Sequence, residues 1–253
     1  MSNEPQLAFW NSRAQLGYCA GTNDFILKEM EVNTIAGYIR DGMRILDFGC
    51  GNCVTAIALA KTYKVHIHCV DFSQGMIAEG TRAAYDEGVI DYLSFEIGDT
   101  SILKNFNNEF DCVYTERVII NLKTWEEQAR AIADIIKTLR NGGQYIMCEN
   151  SMDGLDEINK LRATVQLEPI SPPWHNLYLC DEKVAALEIE GVSLVSVNHF
   201  SATYYLFSRV MNAALARDNG TEPNYDSPIN KLAARLPSIG TSAQVKIWLW
   251  QKH

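Results

Sequence analysis

Short apolar runs alternate with helical stretches between residues 43 and 150, and this alternation restricts the fold more than any other feature of the chain. Runs of this length and character are typical of strands buried in a parallel sheet. We predict strands over residues 43–48, 65–70, 92–97, 110–115 and 144–149. The helical patterns between them cover residues 54–63, 73–88 and 125–140, the last of which ends at Asn141-Gly142-Gly143. The succession predicts an α/β fold, a doubly wound parallel sheet with helices on both faces.

The regions on either side of this core are also patterned. Residues 4–40 are predicted to form two helices, and Asn23 or Asp24 is placed to cap the second. Ser73 is placed to cap the helix that begins there. After residue 150 we predict a proline-containing irregular segment, a strand, a helix, a connection and a last strand, at 151–180, 193–200, 202–217, 218–240 and 243–251. The sequence has no internal repeat and no long linker, so we predict one sheet domain with additions at both ends.

Composition and charge exclude several classes of protein. The chain has 253 residues, 47% of them apolar and 21% charged. Its uncharged apolar runs are far shorter than the ~20 residues of a membrane span, and its first residues lack the features of a secretory signal. The net charge of −9, from 22 basic and 31 acidic residues, disfavours nucleic-acid binding. We expect a cytoplasmic protein with neither a membrane nor a nucleic-acid partner, and the sequence leaves its oligomeric state open.

The chain has 7 cysteines, which we expect to be mostly buried reduced thiols. Cys50 and Cys53 have the C-x-x-C spacing of a zinc or redox site. His66 and His68 point to one face of a predicted strand and offer further ligands for a mixed site. No second C-x-x-C pair is present to complete a four-thiolate site, and Cys50 and Cys53 belong to a turn of another kind, so we expect no metal.

That turn connects the first predicted strand to the helix after it. Its sequence is Asp47-Phe48-Gly49-Cys50-Gly51-Asn52. Glycines let the backbone turn tightly and approach a ligand, and the unpaired N–H groups at a helix start bind polar or anionic groups. Asp71 ends the second predicted strand, where a carboxylate can accept both hydroxyls of a ribose. Glycine turn and acidic residue together predict a pocket for an adenosine-type cofactor.

The charge beside the turn distinguishes between the candidate cofactors. A turn that binds a pyrophosphate usually has a third glycine, and β-branched Val54 and Thr55 stand at that point instead. Asp47 directly precedes the turn, and its carboxylate would repel a pyrophosphate but attract the sulfonium cation of S-adenosylmethionine. We therefore predict S-adenosylmethionine as the cofactor and disfavour a nicotinamide oxidoreductase.

Five segments, in order, resemble the motifs of class I S-adenosylmethionine-dependent methyltransferases. ILDFGCGNC resembles the family's motif I, and CVDFSQGMI resembles its ribose-binding acidic motif. Gly98-Asp99-Thr100 resembles the element that borders adenine. FDCVYTERVIINL and LRNGGQYIMCEN resemble the fourth strand with its following segment and the fifth strand. The chain departs from the family at Cys53, where a third glycine is frequent. That departure narrows the turn slightly and accounts for the C-x-x-C spacing without a metal.

The resemblance implies a fold and a division of the chain. The implied fold is a Rossmann-like, seven-stranded, mostly parallel sheet of order 3-2-1-4-5-7-6 with strand seven antiparallel. Residues 1–40 would form an N-terminal helical cap and 43–150 the cofactor-binding core. Residues 151–253 would supply a substrate-covering lid and strands six and seven, within one domain over 1–253.

The resemblance also implies a set of cofactor-binding residues. The set is Trp10, Arg13, Asp47, Gly49, Cys50, Gly51, Asp71, Phe72, Met76, Asp99, Thr100 and Glu116. Asp71 would accept the ribose hydroxyls, and Asp99 would accept the adenine amino group, which Phe72 and Met76 would border. The glycines would face the methionine part, with Asp47 near its amino group or ribose, while Glu116 would lie where the active-site floor begins. Each residue also has a structural interpretation as a strand cap, core residue, turn residue or surface ion pair.

Three groups of residues outside the common core are candidates for binding the methyl acceptor. They are Trp10, Arg13 and Tyr18; Trp174, His175 and Tyr178; and His199, Tyr204, Tyr205 and Arg209. Aromatic residues mostly pack and arginines mostly pair with acids, so each group also has a structural interpretation. Arg13 is placed to meet a carboxylate, and Tyr205 and Arg209 share a helix face by i,i+4 spacing. The predicted catalytic residues are His175, Tyr178, His199, Tyr204 and Arg209. Among them His175 is the preferred general base, followed by His199 or a tyrosine.

Methyl transfer is an in-line displacement that needs alignment and exclusion of water, with a base only where the nucleophile must lose a proton. The N-P-P-Y signature of DNA amino-methyltransferases is absent, and thiols outside motif I are too few for arsenite methylation. We predict an enzyme that methylates an O or N atom of a small molecule such as a sugar or another metabolite. The alternative is a non-catalytic regulatory module that binds S-adenosylmethionine or S-adenosylhomocysteine, because its cofactor motifs would look the same.

Overall fold

The computed structural model describes residues 4–253, apart from the side chain of Tyr18. Its strands form one seven-stranded sheet in the order β3-β2-β1-β4-β5-β7-β6. The strands are β1 (Arg44–Phe48), β2 (His66–Asp71), β3 (Leu93–Ile97), β4 (Phe110–Glu116), β5 (Leu139–Asn150), β6 (Val192–Asn198) and β7 (Val245–Lys252). β7 is antiparallel to both β5 and β6, and the other pairs are parallel. The predicted α/β class and strand order are confirmed.

The central strands are apolar because helices cover both faces of the sheet. Along β1, Ile45 belongs to the apolar cluster on one face and Leu46 to the cluster on the other, and both are fully buried. The helices are α1 (Glu4–Ala14), α2 (Phe25–Ala36), α3 (Val54–Thr62), α4 (Gln74–Asp86), α5 (Trp125–Thr138), α6 (Met152–Thr164), α7 (Asp181–Ala185), α8 (Ala202–Tyr205), α9 (Asn212–Asp218) and α10 (Pro228–Ala233). Residues of α2, α3 and α6 pack on the Ile45 side, and residues of α5 pack on the Leu46 side.

Two of the predicted helix caps are present. The carboxylate of Asp24 accepts a hydrogen bond of 3.1 Å from the N–H of Leu27 at the start of α2. The hydroxyl of Ser73 accepts one of 3.1 Å from the N–H of Met76 at the start of α4. Each side chain satisfies an N–H group that the first helical turn leaves unpaired.

The structure differs from the prediction in two helices that were not predicted and in the end of α5. The segment 151–180, predicted to be irregular, begins with α6, which Ser151 caps by accepting the N–H of Gly154. The connection 218–240 contains α10. α6 was not predicted because the prolines and aromatic residues further along its segment are typical of a loop. Asn141-Gly142-Gly143 lies inside β5 and does not end α5, because the chain is already extended at Leu139.

The helical region after β6 contains an irregularity. α8 and α9 are joined by a π-helical turn over Leu206–Met211, a feature frequent at functional sites. This turn carries Arg209. Among the helices of residues 4–253, none combines the length and the apolar character needed to cross a bilayer.

Candidate active site

A cavity of about 1020 Å³ lies at the carboxyl ends of the parallel strands, where doubly wound sheets bind their ligands. The ends of β1, β2 and β4 form its floor, and residues of α1, the segment 173–178 and the residues before β7 contribute its other walls. Its volume lies at the upper end of the ~300–1,000 Å³ that small-molecule sites occupy.

The glycine turn is tied to β2 by its backbone. Gly49 and Gly51 have φ of 78° and 53°, in the left-handed region that glycine adopts without strain. The N–H groups of Gly49 and Cys50 donate to the carbonyl of Val70 at 2.7 and 2.9 Å. The turn is therefore fixed relative to the carboxyl end of β2, beside Asp71.

Asp71 links the turn to the helix after β2. One oxygen of its carboxylate accepts the N–H of Gly51 at 2.9 Å, and the other accepts the N–H of Ser73 at 2.8 Å. Burial raises the pKa of Asp71 to about 6, although the two N–H bonds oppose the rise. Each carboxylate oxygen has a further lone pair, so Asp71 can still accept hydrogen bonds from the cavity that it lines.

Asp47 also has a partner within the protein. The hydroxyl of Tyr114 on β4 donates to its carboxylate at 2.6 Å. Burial raises the pKa of Asp47 well above its usual range. Asp47 thus lines the cavity and is also bonded within the fold, and its predicted place beside the cofactor stays a prediction.

Lys28, Thr55 and Glu116 form a hydrogen-bonded polar group in the cavity wall. The Thr55 hydroxyl donates to Oε2 of Glu116 at 2.6 Å. The ammonium of Lys28 donates to the Thr55 hydroxyl at 2.9 Å and pairs with Oε1 of Glu116. Burial alone would raise the pKa of Glu116, but the charges of Lys28 and Arg117 and the hydrogen bonds with Glu31 and Lys28 together outweigh it and hold the pKa at about 2. Glu116 is therefore ionised.

Arg117 follows β4 in a left-handed conformation, with φ of 59°. Its Nη2 donates to Oε2 of Glu31 at 3.1 Å and lies 3.7 Å from Oε1 of Glu116. Glu31 on α2 is fully buried, and its Oε1 has no hydrogen-bond partner among residues 4–253. Burial raises the pKa of Glu31 to about 8 against the charge of Arg117. At pH 7 Glu31 is mainly neutral, and Glu116 carries the negative charge.

The opposite end of the cavity contains the predicted adenine-binding residues. The carboxylate of Asp99 accepts the N–H of Ser101 at 2.8 Å, and the hydrogen bonds with Ser101 lower the pKa of Asp99. Met76 is buried against Trp10 and two alanines of the N-terminal region. Phe72 and Thr100 line the same part of the wall.

All the predicted cofactor-binding residues line this one cavity, although their binding roles stay predictions. Arg13 has partners of its own. Its guanidinium donates to the carbonyls of Cys19, at 2.8 Å, and Ala20. Arg13 therefore stabilises the turn after α1. The expected contact between Arg13 and a carboxylate of the acceptor stays a prediction.

The predicted catalytic residues divide into two sets. His175, Tyr178 and Arg209 line the cavity, whereas His199 and Tyr204 are not among the described residues that line it. Tyr204 is fully buried and donates to Oδ1 of Asp24 at 2.6 Å, so its hydroxyl has a structural partner. Arg209 pairs with Oδ2 of the same Asp24 at 2.7 Å.

His175 belongs to an aromatic group at the cavity mouth. Its ring centroid lies 4.7 Å from that of Phe9 and 5.8 Å from that of Trp10. Trp174 contacts the group from outside, with 68% of its surface exposed. Burial, and then the charge of Arg13, lower the pKa of His175, so its imidazole is neutral at pH 7. The remaining member of the first predicted group, the Tyr18 side chain, lies outside the described residues.

Comparison with known proteins assigns the domain. Residues 45–143 match the family model described as a methyltransferase domain, which covers the segment from β1 into β5 that carries the predicted motifs. The match supports the resemblance of this segment to class I S-adenosylmethionine-dependent methyltransferases, and the sheet has the strand order expected of that family.

Its relatives include enzymes and structures of this class. The sterol 24-C-methyltransferase ERG6A of Gibberella zeae is 28% identical over 163 residues, which are 62% of this chain and 41% of the relative. The demethylmenaquinone methyltransferase of Leptospira interrogans is 27% identical over 49% of this chain and 51% of its own. The chain thus spans about half of these relatives or less. The solved TehB-like methyltransferase of Corynebacterium glutamicum covers 99% of this chain and 100% of its own, with a TM-score of 0.58 and 13% identity.

The residues of this cavity fit S-adenosylmethionine. The cavity floor carries Asp47, Asp71 and Glu116, and Glu116 pairs with Lys28 and lies 3.7 Å from Nη2 of Arg117. Asp71, held at the carboxyl end of β2 with lone pairs to spare, matches a ribose diol. Asp47, which the charge argument predicted, and Asp71, which the ribose argument predicted, both line the cavity at the glycine turn.

Several polar residues of the cavity were not predicted from the sequence. Lys28, Asn150 and Gln244 line it, and Glu31 lies directly behind Arg117, which follows Glu116 and lines the cavity too. Lys28 and Glu31 are three residues apart on α2 and therefore share a face, but that spacing is common on surface helices. Sequence gives no sign that this face turns towards β4.

The thiols of the turn meet a third one. The Sγ atoms of Cys50, Cys53 and Cys69 lie within 4.8 Å of one another, and all 7 cysteines are free. His68 instead bonds Ser94 and lies 3.1 Å from the carboxylate of Glu96, so the mixed Cys/His site considered from the sequence does not form. The expected absence of a metal stays a prediction.

Proposed function

We propose that this methyltransferase moves a methyl group from S-adenosylmethionine to an oxygen or nitrogen atom of a small-molecule acceptor. The observation that supports this most directly is that one cavity joins the glycine turn to a second, polar and aromatic end that the cofactor motifs do not account for. A cavity with room beside the cofactor suits a bound acceptor better than a macromolecular surface does. The relatives named for sterols and demethylmenaquinone act on small molecules, which supports a small acceptor and says nothing for oxygen or nitrogen as the methylated atom.

The chain's own residues would do the work of binding and alignment. The cofactor supplies a methyl group already activated on a sulfonium. Asp71 would hold the ribose, and Glu116, which is ionised and paired with Lys28, would line the inner side of the cofactor site. Gln6 of α1 donates to the carbonyls of Asn121 and His175, so α1 is tied across the cavity mouth, where it would exclude water. Alignment and exclusion of water are the contributions that this displacement needs from the protein.

His175 would act as the general base where the acceptor is a hydroxyl. Its neutral imidazole lines the cavity, and its Nδ1 is buried with no partner among residues 4–253. An amine acceptor can attack before it loses a proton and needs no such base. Tyr178 and Arg209 are the other predicted catalytic residues that reach the wall, and they would bind the acceptor.

Location and domain organisation belong to the same proposal. Free thiols at all seven cysteines agree with a reducing, cytoplasmic location. We place the cap in residues 1–40, the cofactor core in 43–150 and the acceptor-covering part in 151–253.

The experiment has two parts. Calorimetry with S-adenosylmethionine, S-adenosylhomocysteine and NAD tests the cofactor: binding of the first two and none of the third is expected. Asp71→Asn should weaken S-adenosylhomocysteine binding by about 5- to 100-fold, the equivalent of a lost buried hydrogen-bond partner. Asp91→Asn, on an exposed residue outside this cavity, is the matched control.

Transfer of a radioactive methyl group to a library of hydroxyl and amine compounds tests the activity. A labelled product supports the enzyme. Tight cofactor binding without transfer to any compound would support the alternative, a regulatory module that binds the cofactor without using it.

A further inference from the structure

The inner end of the cavity is polar and its side chains are fixed. We use the name inner chamber for the part lined by Arg117, Asn150, Tyr178, Tyr205, Arg209 and Gln244. These residues come from the ends of β4 and β5, the segment after α6, the helical region after β6 and the residue before β7. None belongs to the glycine turn or to the segments that resemble ribose and adenine motifs, so they are free to recognise the acceptor.

Gln244 has an unused acceptor in this chamber. The residue is 7% exposed, and its side-chain NH₂ donates to Oδ1 of Asn150 at 3.2 Å and to the Tyr178 hydroxyl at 3.4 Å. Its Oε1 is buried without a hydrogen-bond partner among residues 4–253. A buried carbonyl oxygen without a donor is unfavourable, so a ligand that brings an O–H or N–H group would satisfy it. The two bonds made by the NH₂ group also fix which way the amide points.

Tyr178 adds a donor beside that acceptor. Its hydroxyl accepts the hydrogen bond from Gln244, which leaves its own proton available to a ligand. Arg117 lies close enough for its charge, like that of Arg209, to oppose the rise that burial causes in the pKa of Tyr178. The chamber therefore offers donors and an acceptor within one small volume.

Arg117 has a positive charge that its neighbours only partly neutralise. Arg209 is paired with Asp24, whereas Arg117 faces Glu31, which is mainly neutral at pH 7, and Glu116, which Lys28 already neutralises. Among the groups Lys28, Arg117, Glu31 and Glu116, two are cations and one is an anion. The Nη1 and Nε atoms of Arg117 make no hydrogen bond within residues 4–253, so their N–H groups are available to donate to an anion.

We propose that the acceptor of this methyltransferase is a small carboxylic acid that also carries a hydroxyl or amine, with its carboxylate bound by Arg117 and its O–H or N–H group bound by Oε1 of Gln244. This inference rests on the proposed function and adds the class of acceptor to it. The aromatic wall of Phe9, Trp10 and His175 gives the rest of such a molecule an apolar surface. Arg117 and Gln244 are recognition residues in this assignment, and the displacement itself needs neither of them.

The test uses matched acids and amides. The probes are benzoate, 3-hydroxybenzoate and 4-hydroxybenzoate with the three corresponding benzamides, titrated calorimetrically into the protein saturated with S-adenosylhomocysteine. We expect at least one hydroxybenzoate to bind about tenfold or more tightly than its amide, since a charged partner is lost with the carboxylate.

Three variants locate the effect. Arg117→Gln should reduce the ratio of the affinity for an acid to the affinity for its amide to about twofold or less. Arg117→Lys should restore part of this ratio. Gln244→Met should remove the advantage of the hydroxybenzoate over benzoate and leave benzoate itself unchanged. Arg130→Gln, on an exposed arginine at the far side of the same cavity, should change neither ratio. Thermal unfolding of each variant confirms that it is folded.

Equal binding of acids and amides, no binding of any acid, or a ratio that survives Arg117→Gln would overturn the assignment. So would a large loss of S-adenosylhomocysteine affinity in Arg117→Gln, because Arg117 would then serve the cofactor. Failure of the proposed function looks different, since the unmodified protein would then bind no S-adenosylhomocysteine or transfer no methyl group to any compound.

Discussion

Gly49 lies so close to Val118 that a methyl group on its α-carbon would come within 2.7 Å of Cγ1 of that valine. Val118 belongs to the segment that follows β4, and the N–H groups of Val118 and Ile119 both donate to the buried carboxylate of Glu149 at 3.0 Å. The glycine turn and the segment after β4 are therefore fitted to each other, and neither can shift alone.

Gly49→Ala should consequently disrupt the turn. Its φ of 78° costs an alanine about 1–2 kcal/mol, and the contact with Val118 adds about 1–3 kcal/mol of overpacking. Gly142→Ala is a matched control because its φ is 79° and nothing lies within 4 Å of the added carbon. We expect the control to lose only the backbone contribution in denaturant unfolding and to bind S-adenosylhomocysteine normally. Equal losses of stability in the two variants would contradict this account of the turn.

The pH dependence of cofactor binding should report on Asp71. The pKa of this carboxyl is about 6 in the free protein, and ribose hydroxyls donate to the ionised form. Cofactor affinity should therefore fall as the pH drops below about 6, by up to tenfold per pH unit. Asp71→Asn has no carboxyl to titrate, so the ratio of wild-type to variant affinity should be constant above pH 7 and decline below pH 6. A ratio that stays constant down to pH 5 would show that Asp71 does not contact the cofactor.

The parts of this fold that could be predicted are those with local signals. Alternating apolar runs predicted the sheet, and the turn before α3 together with Asp71 predicted which strand ends would meet. The ring of Tyr205 lies 5.0 Å from the guanidinium of Arg209, as their spacing predicted. Tyr204, one residue earlier, lies on another face and binds Asp24 instead. Sequence alone could not distinguish these two tyrosines, because it does not give the rotation of a helix relative to the cavity.

The polar groups assembled from distant segments could not be predicted. Lys28, Thr55 and Glu116 come from α2, α3 and β4. Any two of them are at least 27 residues apart in the sequence, so only tertiary packing brings them into contact. A lysine on a helix and a glutamate at a strand end are each ordinary in sequence. Only the packing of α2 against the sheet gives them a common role.

The two histidines considered as general bases should behave differently. His175 lines the cavity, whereas His199 is not among its described lining residues, and the backbone carbonyl of His199 accepts the hydroxyl of Ser238. For a hydroxyl acceptor, His175→Phe should keep the aromatic packing and lower kcat by about 10²-fold or more, the usual contribution of a general base. His199→Phe should leave kcat and KM within about twofold. Steady-state kinetics with the acceptor found by the transfer assay decides between them, and an equal loss in both variants would remove His175 as the base.

The stability of the protein should fall above neutral pH because of Glu31. Its pKa is raised from 4.5 to about 8 by burial, so the folded state retains a proton that the unfolded state releases. Compared with a folded protein in which Glu31 is ionised, the protonated protein has its full extra stability below pH 4.5. This extra stability is lost as the pH rises through 8. Between pH 7 and 9 the free energy of unfolding should decrease by about 1 kcal/mol more in the wild type than in Glu31→Gln, whose amide resembles the protonated acid and does not titrate. Urea unfolding at several pH values measures this difference, and Glu29→Gln, on an exposed neighbour of the same helix, controls for the loss of a carboxylate. If wild type and Glu31→Gln lose stability in parallel over this range, Glu31 is ionised in the folded protein and the charge assigned to Arg117 is already neutralised.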